Sequence, residues 1–315
     1  MPADPHVILR RYQALHGARM VWDRTRQDIA DYILPRKSDI IWQRTPGTRK
    51  TWFQFDSTAE QAAHRLASTL AATACSPSQK WFGLKLRERD LNEIHEVAVW
   101  LEECADRLYL GLNQSNFAAQ ISEMFLDLVV FGTGAIMIEE LTPHDPPYFG
   151  GFNFRAEGFG RYCLAESPTG TADTLYRRFE LPARHVVKLW PKTAPPMVRT
   201  ATEQKPDMPY GIIHGVYPRD DAVYGKRDKR NMPFASCYVL ERGPTLLAED
   251  GFEEFPFAVA RWSKVAGEEY GRGLGDNAYA DVRTLNRMAE LDLQAGEKDI
   301  DPPLQAIQDS VVGDI

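Results

Sequence analysis

The sequence predicts an α+β fold with its helices first. Three observations carry that reading. Apolar residues recur at a 3.6-residue period through roughly the first 130 residues, β-like runs begin at Ala135, and a last periodic segment follows the closely spaced Gly271, Gly273 and Gly275.

Ile8, Tyr12, Leu15, Trp22, Ile29 and Ile33 share one helical stripe that must stop at Pro35, which predicts an amphipathic helix of roughly 28 residues, about 42 Å long. Its arginines fall largely off that stripe and read as a solvated face, or as a contact for an acidic partner or nucleic acid. Ser57-Thr58-Ala59-Glu60 has capping-box spacing before a second helix through Ala63, Leu66 and Leu70, which ends near Ser76-Pro77. A third helix follows from Ile94 to Leu108. A fourth uses Phe117, Ile121, Met124, Phe125, Leu128 and Phe131 until FGTG stops it. Trp52, Phe53, Trp81 and Phe82 read as core or interface rather than as base-stacking platforms.

From Ala135 the runs AIMIEE, FGRYCLAE and TADTLYRRFEL suggest a small antiparallel sheet. LPARHVVKLWP reads as a short helix between prolines, and GIIHGVYP, SCYVLER and FPFAVARW as later strands. Beyond the glycines, Asp276 or Asn277 can cap a helix of about 22 residues that ends at Pro302-Pro303. Its narrow apolar stripe, Val282, Leu285, Met288, Ala289 and Leu293, suits a helix packed beside copies of itself.

The composition is that of a globular protein, with 315 residues, 43% apolar and 26% charged. No apolar run reaches the roughly 18 residues of a membrane span, and no leader peptide is expected. The four cysteines lack metal or disulfide spacing, so neither zinc nor a disulfide framework is signalled. A net charge of −7 is unevenly placed. Cations dominate from Arg10 to Lys50 and acids from Glu268 to Asp314, as if the two ends face different partners. The basic loop Lys226, Arg227, Lys229 and Arg230 is a candidate partner contact, with plain solvation as the simpler reading.

GRGLGDN is not a phosphate cradle. A Walker loop needs a lysine and a hydroxyl after its glycines, the dinucleotide fingerprint needs GxGxxG, and Asp276 would stand where a phosphate should bind. There is no GxSxG and no HExxH, and adjacent carboxylates such as Glu139-Glu140 point to opposite faces of a strand. No catalytic residue, cofactor or metal is predicted.

Several stretches resemble the portal, or head-to-tail connector, proteins of short-tailed double-stranded DNA bacteriophages. They are RYQALHGARMVWDRTRQDIADYILP, FDSTAEQAAHRLASTLAATACSPSQKWFGLKL, WLEECADRLYLGLNQSNF, FGTGAIMIEE, DTLYRRFEL and RWSKVAGEEYGRGLGDNAYADVRTLNRMAELDLQAGEKDIDPPL, in family order from Arg10 to Leu304. The resemblance implies a phage portal fold: a wing over residues 1–270, a stem helix over 271–300 and the start of a clip over 301–315. The family's second stem helix, channel-loop helix and crown have no counterpart in these residues, so its gating positions are carried onto none of them.

It also implies a virion protein at the head–tail junction, assembled in the host cytoplasm as a ring of twelve subunits. Its partners would be other copies, the major capsid protein, scaffolding protein, terminase, tail adaptor and the double-stranded DNA that passes through. On this reading Gly271, Gly273 and Gly275 form a φ-permissive wing-to-stem hinge, and Arg283, Arg287, Glu290, Glu297 and Lys298 supply channel or inter-subunit charges. The acidic end then suits a channel that must not grip phosphates. The alternative is another head–tail adaptor or structural protein of the virion.

Overall fold

In a computed structural model, residues 3–42, 44–45, 47–141, 149–222 and 228–301 are described. The chain opens with α1 (Pro5–Ile33), started by Asp4, whose side chain accepts from the His6 N–H at 2.9 Å. Pro35 ends it by denying Leu34 the helical conformation. The expected solvated arginine face is only half present. Arg10, Arg11 and Arg24 are exposed, but Arg19 and Arg26 are buried.

The reason lies in what α1 packs on. Carbonyls of the tight turn at Phe159–Arg161 point at the helix, and burial would leave them without partners. Arg19 donates to the carbonyls of Phe159 (3.1 Å), Gly160 (3.0 Å) and Tyr162, while Asp23 pairs with its Nε at 2.9 Å. A guanidinium has five donors, enough to serve such a turn.

Next come α2 (Thr58–Ala74), a single turn α3 (Arg89–Asn92), α4 (His95–Gln114) and α5 (Phe117–Phe131). The capping box before α2 does not form. Asp56 accepts from the Thr58 N–H at 3.0 Å instead, and Ser57 takes the Gln61 side chain. Trp81 stacks on Phe117 and meets Phe82 edge-on, whereas Trp52 and Phe53 are exposed and belong to no core. The apolar stretch from Phe125 to Ile138 is the buried end of α5 turning into the first strand.

Among the described residues there are two antiparallel sheets rather than one. β1 (Thr133–Glu140) lies between β2 (Phe152–Glu157) and a late strand, β8 (Phe257–Arg261). The five-stranded sheet is a meander of β3 (Tyr162–Glu166), β4 (Ala172–Pro182), β5 (Pro209–Pro218), β6 (Phe234–Leu240) and β7 (Thr245–Phe252). Two short helices, α6 (Ala183–Leu189) and α7 (Pro196–Gln204), fill the β4–β5 connection. The last element is α8 (Leu274–Ile300). The main core gathers Ile29 and Ile33 of α1, Val129 to Phe131 of α5, and Met137, Tyr162, Leu164, Leu175, Val216 and Tyr270. The other end of α1 covers the five-stranded sheet through Ile8 and Tyr12.

A buried polar chain ties the two sheets together. Glu157 of β2 pairs with Arg177 of β4, whose Nε donates to His214 Nδ1 at 2.9 Å. That bond leaves the ring proton on Nε2, which donates to Ser236 at 2.9 Å, and the imidazole lies flat on Tyr238 with centroids 4.1 Å apart. Burial, then the Arg177 charge, hold His214 well below its ordinary value of 6.5. The unfolded chain therefore takes up a proton below pH 6.5 that the fold refuses, so His214 costs stability as pH falls. Thermal denaturation from pH 7.5 to 5 should show a steeper loss in the native protein than in His214→Gln, with a slope difference of up to about 1.4 kcal/mol per pH unit.

Candidate assembly helix and its seat

The last helix begins in a crowded corner. Gly132 ends α5 at φ +80°, in the left-handed region that glycine tolerates, and a Cβ there would lie 2.3 Å from the Arg272 carbonyl carbon and the Gly273 nitrogen. The Gly132 turn is joined to the chain that enters α8 by the Trp262 N–H to the Gly132 carbonyl (2.9 Å) and the Gly271 N–H to Thr133 Oγ1 (2.8 Å), and that chain closes on itself through the Arg272 N–H to the Ser263 carbonyl (2.8 Å).

The expectation of a φ-permissive corner at Gly271, Gly273 and Gly275 is corrected by this geometry. None of the three has a positive φ, and Gly273 is extended at −98°, 179°. They are glycines because backbone passes against backbone. An added Cβ would meet the Gly132 carbonyl oxygen at 2.3 Å from Gly271, the Gly132 nitrogen at 2.5 Å from Gly273 and the Val130 carbonyl oxygen at 2.4 Å from Gly275. Main-chain atoms hemmed in on both sides cannot move away as a flexible side chain would.

Arg26 of α1 closes the corner from beneath. Fully buried, it pairs with Asp276, donates to the Gly271 carbonyl at 3.1 Å and lies over Trp22 and Phe159 at 5.2 and 5.9 Å. Asp276 is not the residue before the helix, as the cap reading had it. It sits in the first turn and reaches back to accept from the Gly273 N–H at 2.8 Å. The positive end of the helix is thus filled by the chain's own carboxylate, and no anion is needed there. Tyr270 completes the seat, its hydroxyl accepting from the Leu164 N–H at 2.9 Å.

One further side chain holds α8. Asn286 is buried, accepts from the Phe55 and Asp56 N–H groups at 2.6 and 3.1 Å, and donates to the Phe53 carbonyl. Beyond it, residues 287–300 stand clear of the body over about 21 Å, and most of their apolar side chains face solvent. The helix has 27 residues rather than about 22.

The predicted stripe divides at this boundary. Val282 packs against the main core and Ala289 is half-buried, while Leu285, Met288 and Leu293 are 45, 58 and 58% exposed. Among the predicted charges, Arg287 pairs with Glu290 along the helix at 2.6 Å, whereas Arg283, Glu297 and Lys298 have no ion-pair partner among the described residues. In the basic loop, Lys229 pairs with Asp250 at 3.0 Å and Arg230 is exposed. Lys226 and Arg227, like residues 302–315, lie outside the described residues. Arg26 and Asn286 were not singled out from the sequence, and Gly132 was read only as part of the FGTG helix stop.

Among the described residues no three His, Cys, Asp or Glu side chains come together to hold a metal, and no helix is long and apolar enough to cross a membrane. The described residues thus build an α+β body bearing one amphipathic helix that is exposed over its second half. A family model described as bacteriophage head to tail connecting protein matches residues 6–315, and the chain belongs to that family.

Relatives include a protein named "Probable portal protein" from Bordetella phage BPP-1, 29% identical over 309 residues, 95% of this chain and 54% of that one. Another, named "Portal protein", from Salmonella phage epsilon15, is 27% identical over 310 residues, again 95% of this chain and 54% of the relative. The chain spans about half the length of the curated relatives it matches.

Two substitutions test the seat. Gly273→Ala puts a methyl among three main-chain atoms and should lower unfolding free energy by about 2–4 kcal/mol in urea titrations. Asp276→Ala strands a buried guanidinium and should cost about 3–5 kcal/mol, with Asp276→Ala/Arg26→Met recovering part of the loss.

Proposed function

We infer that the chain is the subunit of a portal ring, a structural channel at one vertex of a phage capsid. Residues 1–270 form the wing, 271–300 the stem helix and 301–315 the first part of the clip. The glycine corner sets the angle between wing and stem. Twelve copies surround the axis, and the genome enters and leaves between their stem helices. The capsid and scaffolding proteins, the terminase and a tail adaptor dock on the ring, which is assembled in the host cytoplasm and stays at the head–tail junction.

The observation that carries this reading is α8: a helix fixed at one end by buried ionic and main-chain contacts, whose remaining turns expose apolar side chains. A lone monomer gains nothing from leaving such turns in water, whereas neighbouring copies would cover them. The helix also carries six carboxylates against three cations, a balance that does not retain a polyanion. On this reading the energy for packaging comes from a motor that docks on the ring.

Native mass spectrometry and axial projection images of the purified protein test the reading. A closed ring of about twelve copies around a central hole is expected. A monomer or a two-fold dimer would refute it.

A further inference from the structure

The cation-rich segment from Arg10 to Lys50 uses most of its charge internally. Of its ten cations six are ion-paired: Arg19, Arg26, Arg36, Lys37, Arg44 and Lys50. The connection between β4 and β5 is different. Residues 183–208, which hold α6 and α7, carry five cations, Arg184, Lys188, Lys192, Arg199 and Lys205, against two acids, Glu203 and Asp207. That is a local excess of positive charge in a chain whose net charge is −7.

Among the described residues only Arg184 is paired with a carboxylate. It meets Asp207 at 3.1 Å, and with the two side chains 56 and 70% exposed the pair is weak. Arg199 is used locally, donating to the carbonyls of Ala194 (3.0 Å) and Pro191 (2.7 Å) and so bracing the turn between the two helices. Lys188, Lys192 and Lys205 are exposed and have no hydrogen-bond or ion-pair partner for their side chains among the described residues.

The fold brings these three lysines to one lobe. The Arg184 N–H donates to the Pro206 carbonyl at 3.1 Å and the Ala183 N–H to the Met208 carbonyl at 2.9 Å, which sets Lys205 and the end of α7 beside the start of α6. Arg184 and Lys188 lie one turn apart on one flank of α6, about 6 Å along its axis, while Ala183 and Val186 are buried on the other side. Lys192 follows in the turn that leaves the helix, which the Ala194 N–H closes on the Trp190 carbonyl at 2.9 Å. Spacing of this order is within the Debye length of about 8 Å at physiological salt, so neighbouring charges reinforce one another. The lobe is held in place by Ala183, Val186 and Val198, fully buried with Ile212 and Leu240 of the sheet.

Like charges gathered in this way repel one another and give the isolated chain nothing in return. A polyanion reverses the sign, because every phosphate that a lysine neutralises releases condensed counterions. Duplex DNA, with one charge per roughly 1.7 Å of its axis, puts several phosphates within reach of such a patch. We propose that the α6–α7 lobe binds the phosphate backbone of duplex DNA, without regard to sequence, through Lys188, Lys192 and Lys205. The contact is separate from the stem: it lies on the body, whereas α8 has an excess of acids. One region of the chain lets the polymer pass and another holds it.

Fluorescence anisotropy of a short labelled duplex tests the site on the native protein, whatever its state of assembly. Affinity should fall as salt rises, with log K against log salt having a slope near −3, about −0.9 for each of the three lysines. Lys188→Glu/Lys192→Glu/Lys205→Glu should keep the native melting temperature and bind at least about tenfold more weakly at about 50 mM salt. Each single Lys→Gln variant should flatten the slope by about one. Arg65→Glu, an exposed charge reversal on α2, should bind as the native protein does. A closed circular duplex, which cannot thread a channel, should compete with the labelled one.

Native affinity in the triple variant, an equal loss in Arg65→Glu, or no competition from the circle would overturn the proposal. So would displacement of the duplex by polyglutamate at equal charge concentration, which would make an acidic protein the occupant. Rings that bind no duplex would remove the lobe contact and leave the ring reading standing, and monomers that bind it through these lysines would do the reverse.

Discussion

Everything in this structure that bears on assembly depends on two stretches of main chain pressed together, Gly132 on one side and Gly271 to Gly275 on the other. At separations that exclude even a methyl group the two backbones lie against each other, with the Gly271 N–H donating to Thr133 Oγ1 and the Trp262 N–H to the Gly132 carbonyl, and the start of α8 is fixed as part of the core. Arg26 and Asp276 then supply charge where the helix needs it, out of water and between aromatic rings. Leaving one of the pair unpaired there would be costly, so the corner forms completely or not at all.

The order of elements was legible because it is written in periodicity. α1, α4 and α5 appear where apolar residues repeat, and Pro35 and Gly132 stop helices for local reasons. The second sheet was harder to see. β2 is a short run at the edge of its sheet, and β7 carries Glu249, an acidic residue that a pattern reading discounts but that is buried against Arg219 at 2.9 Å. The split into two sheets depends on β8 pairing with β1 across more than a hundred residues, which no local signal encodes.

The seat was legible only in part. The glycines drew notice for a conformational freedom they do not use, because close approach is a property of two segments and a sequence shows one at a time. Arg19 and Arg26 were placed on a solvated face although they follow Tyr12, and precede Ile33, at seven-residue steps. That spacing puts all four on one side of α1, and two cations in an otherwise apolar row were a sign of buried carbonyls opposite. For α8 the apolar positions were found and their role divides: Val282 belongs to the body, while Leu285, Met288 and Leu293 wait for other surfaces.

The same two arginines make α1 a strut. Arg19 grips the turn that leads into the five-stranded sheet, and Arg26, two helical turns on, grips the root of α8. Little can give between them, since both guanidiniums are locked and the rod joining them is continuous. Any tilt imposed on the distal end of α8 would therefore be felt at the meander as a push or pull along α1, which makes the body a lever whose fulcrum is the glycine corner.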